Sequence, residues 1–335
     1  MNYKKIFITG GAGYCGARLV PILLSQGYEV TVFDTFYFGE NCLPSQSDKF
    51  KIVKGDIRDV SLLEKASKYH DVFISLACIS NDASFELDPE LSTTVNLNAF
   101  EPMVKAAKEN GIKLFIYAST SSVYGISDKK NVTEDHPLVP LTLYNDYKGR
   151  CEPILLNYTD NNFHGVVFRP ATVCGFSPRQ RFDVSVNILT NLAINKREIT
   201  VFGGDQLRPN LHILDYCEVL RLFLNSDSSL INNQIFNVGY ENLSINQIAN
   251  KVKNTVVSQF EEIDDIQIIK SESNDKRSYH INSDKIKNYL GFSPKYSIES
   301  AIIELCDAFK KNSYENSLEN EIYFNVKRLK SIQAK

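Results

Sequence analysis

The stretch Ile6-Phe-Ile-Thr-Gly-Gly-Ala-Gly-Tyr-Cys-Gly16 decides how the rest of the chain is read. Ile6, Phe7 and Ile8 spell a buried strand, and Leu19, Val20, Ile22, Leu23 and Leu24 give the next segment an apolar helical face. Between them lies Gly11-x-Gly13-x-x-Gly16, with Gly10 as a further early glycine. Bare backbone lets the chain turn sharply at the first pair, approach a pyrophosphate at Gly13 and pack closely at Gly16. Free N–H groups at the helix start, around Tyr14 and Cys15, then face the phosphates, and the helix dipole adds to the attraction. A glycine triplet says little alone; a strand before it and an apolar-faced helix after it make it a dinucleotide signature.

Working outward, short apolar runs alternate with helical patterns. Strands are predicted at Lys5–Thr9, Glu29–Asp34, Phe50–Lys54, Val72–Leu76, Leu114–Ala118 and Val166–Arg169, with amphipathic helices at Val60–Lys68 and Pro89–Asn110 between them. This alternation predicts an α/β fold, a doubly wound parallel sheet whose ligands lie beyond the carboxyl ends of its strands. After Pro170 the rhythm breaks, which predicts a smaller α+β substrate domain over 171–315 beside a dinucleotide domain over 1–170. A strand near Ile235–Val238, within 231–247, is expected to return to the sheet, and the charged tail 316–335 to be loosely attached.

A length of 335 residues, 43% hydrophobic and 23% charged, describes an ordinary globular protein of one large or two intimate domains. A net charge of −3 gives no reason to expect nucleic acid or an anionic membrane as a partner. Seven widely spaced cysteines without Cys-x-x-Cys, and five scattered histidines, suggest neither a disulfide framework nor a metal site. No signal peptide or long apolar run is evident, so a cytoplasmic protein is expected.

Asp34 ends the second strand, 21 residues after Gly13, where a carboxylate accepts both ribose hydroxyls and repels a 2′-phosphate. No arginine occupies 35–41, which favours NAD over NADP. Asp56-Ile57 ends the third strand beside the expected adenine, and the small Leu76-Ala77 step lets a cofactor pass. Ser119-Thr-Ser-Ser-Val-Tyr-Gly125 follows the fifth strand, and Tyr144 and Lys148, four apart, share one helix face. A tyrosine titrating near ~10 is expected to be made acidic by that ammonium and by the positive nicotinamide, and to take a sugar hydroxyl proton as hydride leaves, with Thr120 holding the hydroxyl. The second Tyr-x-x-x-Lys, Tyr323–Lys327, is read as a solvated helix face.

Arg179, Arg181, Arg208 and Arg277 lie in loop-like segments, and their guanidinium forks suit a diphosphate. Surface or ion-paired roles fit Arg179 and Arg181 equally well. Ser80-Asn81-Asp82 reads either as a sugar contact or as a solvated loop.

Together the glycine turn, Asp34, Ser119–Gly125, Tyr144-x-x-x-Lys148 and Phe168-Arg-Pro170 resemble the extended short-chain dehydrogenase/reductase family, and within it the NAD-dependent nucleotide-sugar epimerase/dehydratase group. The resemblance implies a Rossmann fold and NAD as cofactor. Thr120, Tyr144 and Lys148 match the catalytic residues, and Asn96 and Ala171 match positions near the active-site helix and the nicotinamide. Arg208 and Arg277 match diphosphate ligands, and pairing through helices near 90–110 and 144–158 implies a homodimer. The run from Arg169 to Asp183 and on to Asn187, with Asp275–Tyr279, resembles nucleotide-diphosphate heptose 4-dehydrogenases and relatives that make surface polysaccharide sugars. It implies that Ser121, Ser122 and Asn187 also face the sugar. Cys78 and Cys174 depart from the pattern.

Family 4,6-dehydratases carry an Asp-Glu pair after the catalytic Thr, and sugar-acid decarboxylases carry a glutamate at the second of those places. Here Ser121 and Ser122 stand there, so dehydration and decarboxylation are expected to be disfavoured, leaving a 4-epimerase, a 4-dehydrogenase or a 4-keto reductase. A non-catalytic dinucleotide sensor is the alternative of another class.

Overall fold

The computed structural model describes residues 3–334 except 128, 130 and 273–277, so Arg277 and most of the Asp275–Tyr279 run lie outside the described residues. Six parallel strands, β1 (Lys5–Thr9), β2 (Glu29–Asp34), β3 (Phe50–Lys54), β4 (Val72–Ser75), β5 (Leu114–Ala118) and β6 (His164–Pro170), pair in the order β6-β5-β4-β1-β2-β3. A seventh, Gln234–Val238, adds in parallel to β6 and closes that edge. Strand order reverses between β1 and β4, which opens a crevice at their carboxyl ends.

Both faces of the sheet are buried. Ile6, Ile8, Val72 and Ile74 point to one side, against Leu19 and Leu23 of helix α1 (Tyr14–Ser25) and Leu220 and Phe223 of the helix Ile213–Asn225. Their strand neighbours Phe7, Phe73 and Phe115 point to the other, where Phe73 and Phe115 stack at 4.7 Å. That side is covered by α2 (Val60–Ser67), α5 (Phe100–Glu109) and α6 (Leu143–Asn157). Apolar side chains on both faces explain why the strands read as continuous apolar runs.

The expected single helix over Pro89–Asn110 is broken. After α3 (Asp82–Leu87), α4 (Pro89–Thr93) passes into a π-helical turn, Thr94–Asn98, before α5 begins. Asn96 lies in that turn, and its amide closes on the backbone of Ile79, accepting from its N–H and donating to its C=O, both at 2.9 Å. A π-turn that redirects one side chain often marks a functional site.

Beyond β6, the strands Glu241–Ser244, Leu207–His212 and Thr172–Cys174 form a small mixed sheet, and Gln267–Ser271 pairs in parallel with Glu198–Phe202. The helices Ser185–Lys196, Ile245–Gln259 and Ile298–Lys310 pack around Val186, Ile248, Val252 and Ile302. Tyr14 ties this half to the glycine turn: its hydroxyl donates to Gly175 O at 2.7 Å and accepts from Asn187 Nδ2.

The loosely attached tail is not what the chain forms. Tyr323 is 8% exposed and packs with Phe182 and Leu305, so its solvated reading fails as well. A final helix, Asn325–Ser331, buries Leu329 against Ile79 and Leu91. The apolar residues of the tail are buried because their partners are supplied from far away in sequence. Among the described residues no helix is long and apolar enough to cross a membrane.

Candidate active site

A cleft of about 670 Å³ opens at the β1–β4 crevice, within the size usual for small-molecule sites. Its floor is the glycine turn, with Gly10, Gly13, Tyr14, Cys15 and Gly16 all on its wall. Gly10 has φ +75°, and a Cβ there would sit 2.5 Å from the Ala77 amide nitrogen; a Cβ on Gly16 would sit 2.5 Å from Gly11 O. The chain therefore presents bare backbone where a dinucleotide's diphosphate approaches, and it fits that group.

Asp34 lies at the end of β2 and lines the cleft. Its carboxylate accepts from the N–H of Ala12 at 3.0 Å and of Phe36 at 2.8 Å. Burial pushes its pKa up, and those two N–H groups work in the opposite direction. Asp56, Ile57, Leu76 and Ala77 continue the wall. The Asp56 carboxylate already receives Arg58, from Nε at 3.0 Å and Nη2 at 2.6 Å. Ala171 borders the cleft further along, but Asn96 does not: the Ile79 backbone takes both ends of its amide, so its part is to shape the loop after β4.

Thr120, Ser122, Tyr144 and Lys148 line the same cleft. Thr120 caps the short 3₁₀ turn Ser121–Tyr124, accepting from the Ser122 N–H at 3.2 Å. Tyr144 is half-buried because its ring forms cavity wall. The expectation that Lys148 makes this phenol acidic needs correcting. Lys148 is 5% exposed, donates through Nζ to Ala118 O and lies over the Tyr117 ring at 4.6 Å. Burial, then Cys78 and Asp82, raise Tyr144 well above the ordinary tyrosine value; the cation that opposes them most is Arg181. The free protein thus holds a protonated phenol.

Arg181 donates through Nε to Asp183 Oδ1 at 2.8 Å and through Nη1 to Ser80 Oγ at 3.1 Å. Burial opposes its charge, but the Asp183 carboxylate holds its pKa above the ordinary value. Replacing Arg181 by Met removes the main cation acting on Tyr144. The rising limb of kcat/KM against pH, which follows phenol deprotonation, is expected to move to higher pH, with a fall at neutral pH. A pH–rate profile checks this; an unmoved limb would separate Arg181 from the titration of Tyr144.

Other residues fall on both sides of the expectation. Ser80, Asn81, Arg179 and Arg208 line the cleft. Ser121 does not: it is buried behind the wall, 3.4 Å from the Tyr279 hydroxyl. Nor does Asn187, whose amide is consumed by Gly175 N, the Tyr14 hydroxyl and Arg181 O. Both corrections have one cause, since an amide or hydroxyl looks the same in sequence whether it meets ligand or backbone. Cys78 is on the wall, whereas Cys174 is buried away from it. Sequence reasoning missed Tyr279, whose hydroxyl donates to Ser122 Oγ at 3.2 Å, and also Asp183 and Asn325. Tyr279 and Asp183 had a signal, as the ends of the Asp275–Tyr279 and Arg169–Asp183 runs, whereas Asn325 had none.

A sequence profile described as the NAD dependent epimerase/dehydratase family matches residues 6–239. The chain belongs to this family. A dTDP-glucose 4,6-dehydratase of an Actinoplanes species is 26% identical, covering 92% of this chain and 98% of its own. UDP-glucuronic acid decarboxylase 1 of Xenopus tropicalis is 27% identical over 92% of this chain and 72% of its own length. The structure of a UDP-glucose 4-epimerase from Thermotoga maritima with UDP-glucose superposes with a TM-score of 0.81, at 23% identity, over 92% of this chain and all of its own, and shares the fold. Dehydratases and decarboxylases stand among such relatives, so the expectation that Ser121 and Ser122 disfavour those reactions is overturned. Family membership makes NAD the cofactor and nucleotide-sugar chemistry the reaction class.

Proposed function

We propose that the protein oxidises C4 of the sugar in a nucleotide-diphosphate sugar, acting as a 4-epimerase or a 4-dehydrogenase in the making of surface-polysaccharide sugars. The observation that carries this reading is that Tyr144 and Thr120 face the same cleft as the glycine turn and Asp34. NAD, when bound, supplies the hydride acceptor. Tyr144 takes the C4 hydroxyl proton, so that the C–H electron pair leaves as hydride and the C–O bond becomes a carbonyl. Thr120 and Ser122 hold the hydroxyl. Lys148 orients the helix face, and Arg181 opposes the burial that keeps the phenol protonated. Arg208, on the wall of the second half, is suited to the substrate diphosphate. An epimerase then returns hydride to the other face of the 4-keto sugar, whereas a dehydrogenase releases it.

Incubation with a panel of UDP-, GDP-, CDP- and dTDP-sugars, followed by NMR of the products, tests this. Interconversion of C4 epimers or release of a 4-keto sugar supports it. A product without the C6 oxygen or without the C6 carboxylate assigns the chemistry of the dehydratase or decarboxylase relatives instead. A homodimer through α5 and α6 belongs to the same reading, and light scattering on the eluted protein checks it.

A further inference from the structure

Arg179 is 5% exposed and lies on the wall of the cleft. Its guanidinium carbon stands 3.7 Å from the centre of the Phe38 ring, in the loop after Asp34. Nη2 donates to Asn325 Oδ1 at 2.6 Å, while Nε is buried without a hydrogen-bond partner among the described residues. A buried guanidinium N–H left unpaired is costly, and a cavity wall is where a ligand acceptor would pair it. Burial, then the neighbouring Arg181, pushes the Arg179 pKa down to about 9, against the opposing pull of Asp183 and Asp34.

Position tells which anion. Arg179 stacks on Phe38, in the loop that follows Asp34 at the end of β2. Arg181 donates to Ser80 Oγ, in the loop after β4, and its charge acts on Tyr144. Arg179 therefore stands on the adenosine side, beside the loop that follows Asp34, and Arg181 beside the loop after β4, on the side of the reacting tyrosine. What lies between those sides in a dinucleotide is its diphosphate.

The C-terminal helix holds this arrangement. Asn325 donates through Nδ2 to Ser80 Oγ at 2.8 Å, and its backbone N–H donates to Asp183 Oδ2 at 2.9 Å. Arg328 Nε donates to Tyr37 O at 2.6 Å, and Leu329 seats against Ile79 and Leu91. The helix thereby joins the loops after β2 and β4 to the Arg179–Asp183 segment.

We propose that Arg179 binds the diphosphate of NAD from the wall opposite the glycine turn, and that Asn325 of the C-terminal helix is the positioning residue that holds it there. Arg179 is thus assigned to the cofactor and not to the substrate diphosphate. The inference rests on NAD being the cofactor, but not on which sugar is used. It also gives the tail a function: a cofactor clamped on both walls is retained between half-reactions, as re-reduction of the same sugar requires.

The test is binding, not turnover. In Arg179→Met, the affinity for NADH by titration calorimetry is expected to fall about 10- to 100-fold, the range for one charge-assisted hydrogen bond, with UDP and dTDP affinities within about twofold of wild type. Asn325→Ala is expected to speed NADH release severalfold, and to add nothing in the Arg179→Met background. Unchanged NADH affinity in folded Arg179→Met overturns the proposal, and so does loss of UDP or dTDP binding in its place. Tighter binding of NADPH than of NADH by wild type also overturns it, since that puts Arg179 on a 2′-phosphate. If Arg179→Met does not fold, NADH release from Arg179→Lys and Asn325→Ala is read, and wild-type rates in both overturn it. Wild-type protein that takes no NADH at all overturns this proposal and the C4 oxidation together.

Discussion

Tyr144→Phe is expected to lower kcat about 100- to 10,000-fold, the usual contribution of a positioned acid or base, while NADH affinity stays within about twofold of wild type. The ring remains and continues to form the cavity wall, so the loss is confined to one hydroxyl. Since burial holds that hydroxyl protonated in the free protein, the proton must be drawn off only when the cleft is filled. Two positive charges then act on it: Arg181, already in place, and the oxidised nicotinamide brought by the cofactor. A phenol that stays neutral until the oxidant is bound protects the site from idle deprotonation. Single-turnover reduction of bound NAD measures the hydride step directly. Turnover in Tyr144→Phe close to that of the parent would remove Tyr144 from the base role, and attention would pass to Tyr279, whose hydroxyl reaches Ser122 Oγ at 3.2 Å.

The parts of this site that sequence reveals are those whose causes are local. β1, β2, β4 and β5 are readable because each is a short apolar run buried on both faces, while the edge strand β3 keeps a shorter apolar core between exposed lysines. The glycine turn is readable because its conformation allows no side chain at Gly10 or Gly16. What sequence does not reveal depends on partners far along the chain. The π-turn at Thr94–Asn98 exists to bring Asn96 onto Ile79, and nothing within Pro89–Asn110 announces that contact. The tail reads as solvated because the partners that bury Tyr323 and Leu329, among them Phe182, Ile79 and Leu91, lie far back in the chain. Tyr144 and Lys148 are correctly placed on one face by spacing, yet the cation that matters most to the phenol comes from the other half. Spacing reports direction along a helix, and electrostatics depends on everything packed around it.

Beneath the reacting residues lies a charge pair with a large expected effect on stability. Glu152 and Arg169 are 1% and 3% exposed. Arg169 grips the carboxylate with both forks, Nε to Oε1 at 2.9 Å and Nη2 to Oε2 at 2.6 Å. Its Nη1 donates to the Tyr124 hydroxyl at 2.6 Å, and that hydroxyl donates onward to Asn237 Oδ1 at 2.7 Å. Ser119, the residue before Thr120, donates to Glu152 Oε1 at 2.6 Å. One ion pair thus joins the end of β5, helix α6, β6 and the edge strand Gln234–Val238. Arg169→Met leaves a buried carboxylate with only a serine hydroxyl to answer it, and is expected to cost about 3–5 kcal/mol. The urea midpoint should fall accordingly, with the slope of the transition unchanged. The double variant Arg169→Met/Glu152→Leu removes both charges and is expected to recover most of that loss, because the single variant's penalty comes from the stranded carboxylate and not from the absent bond. If the double variant were as unstable as the single one, packing of the guanidinium stem and the hydrogen bonds to Tyr124 would be what holds this layer together. A single variant losing less than about 1 kcal/mol would show that water or a rearranged neighbour reaches Glu152, and that the floor beneath Thr120 is looser than these distances imply.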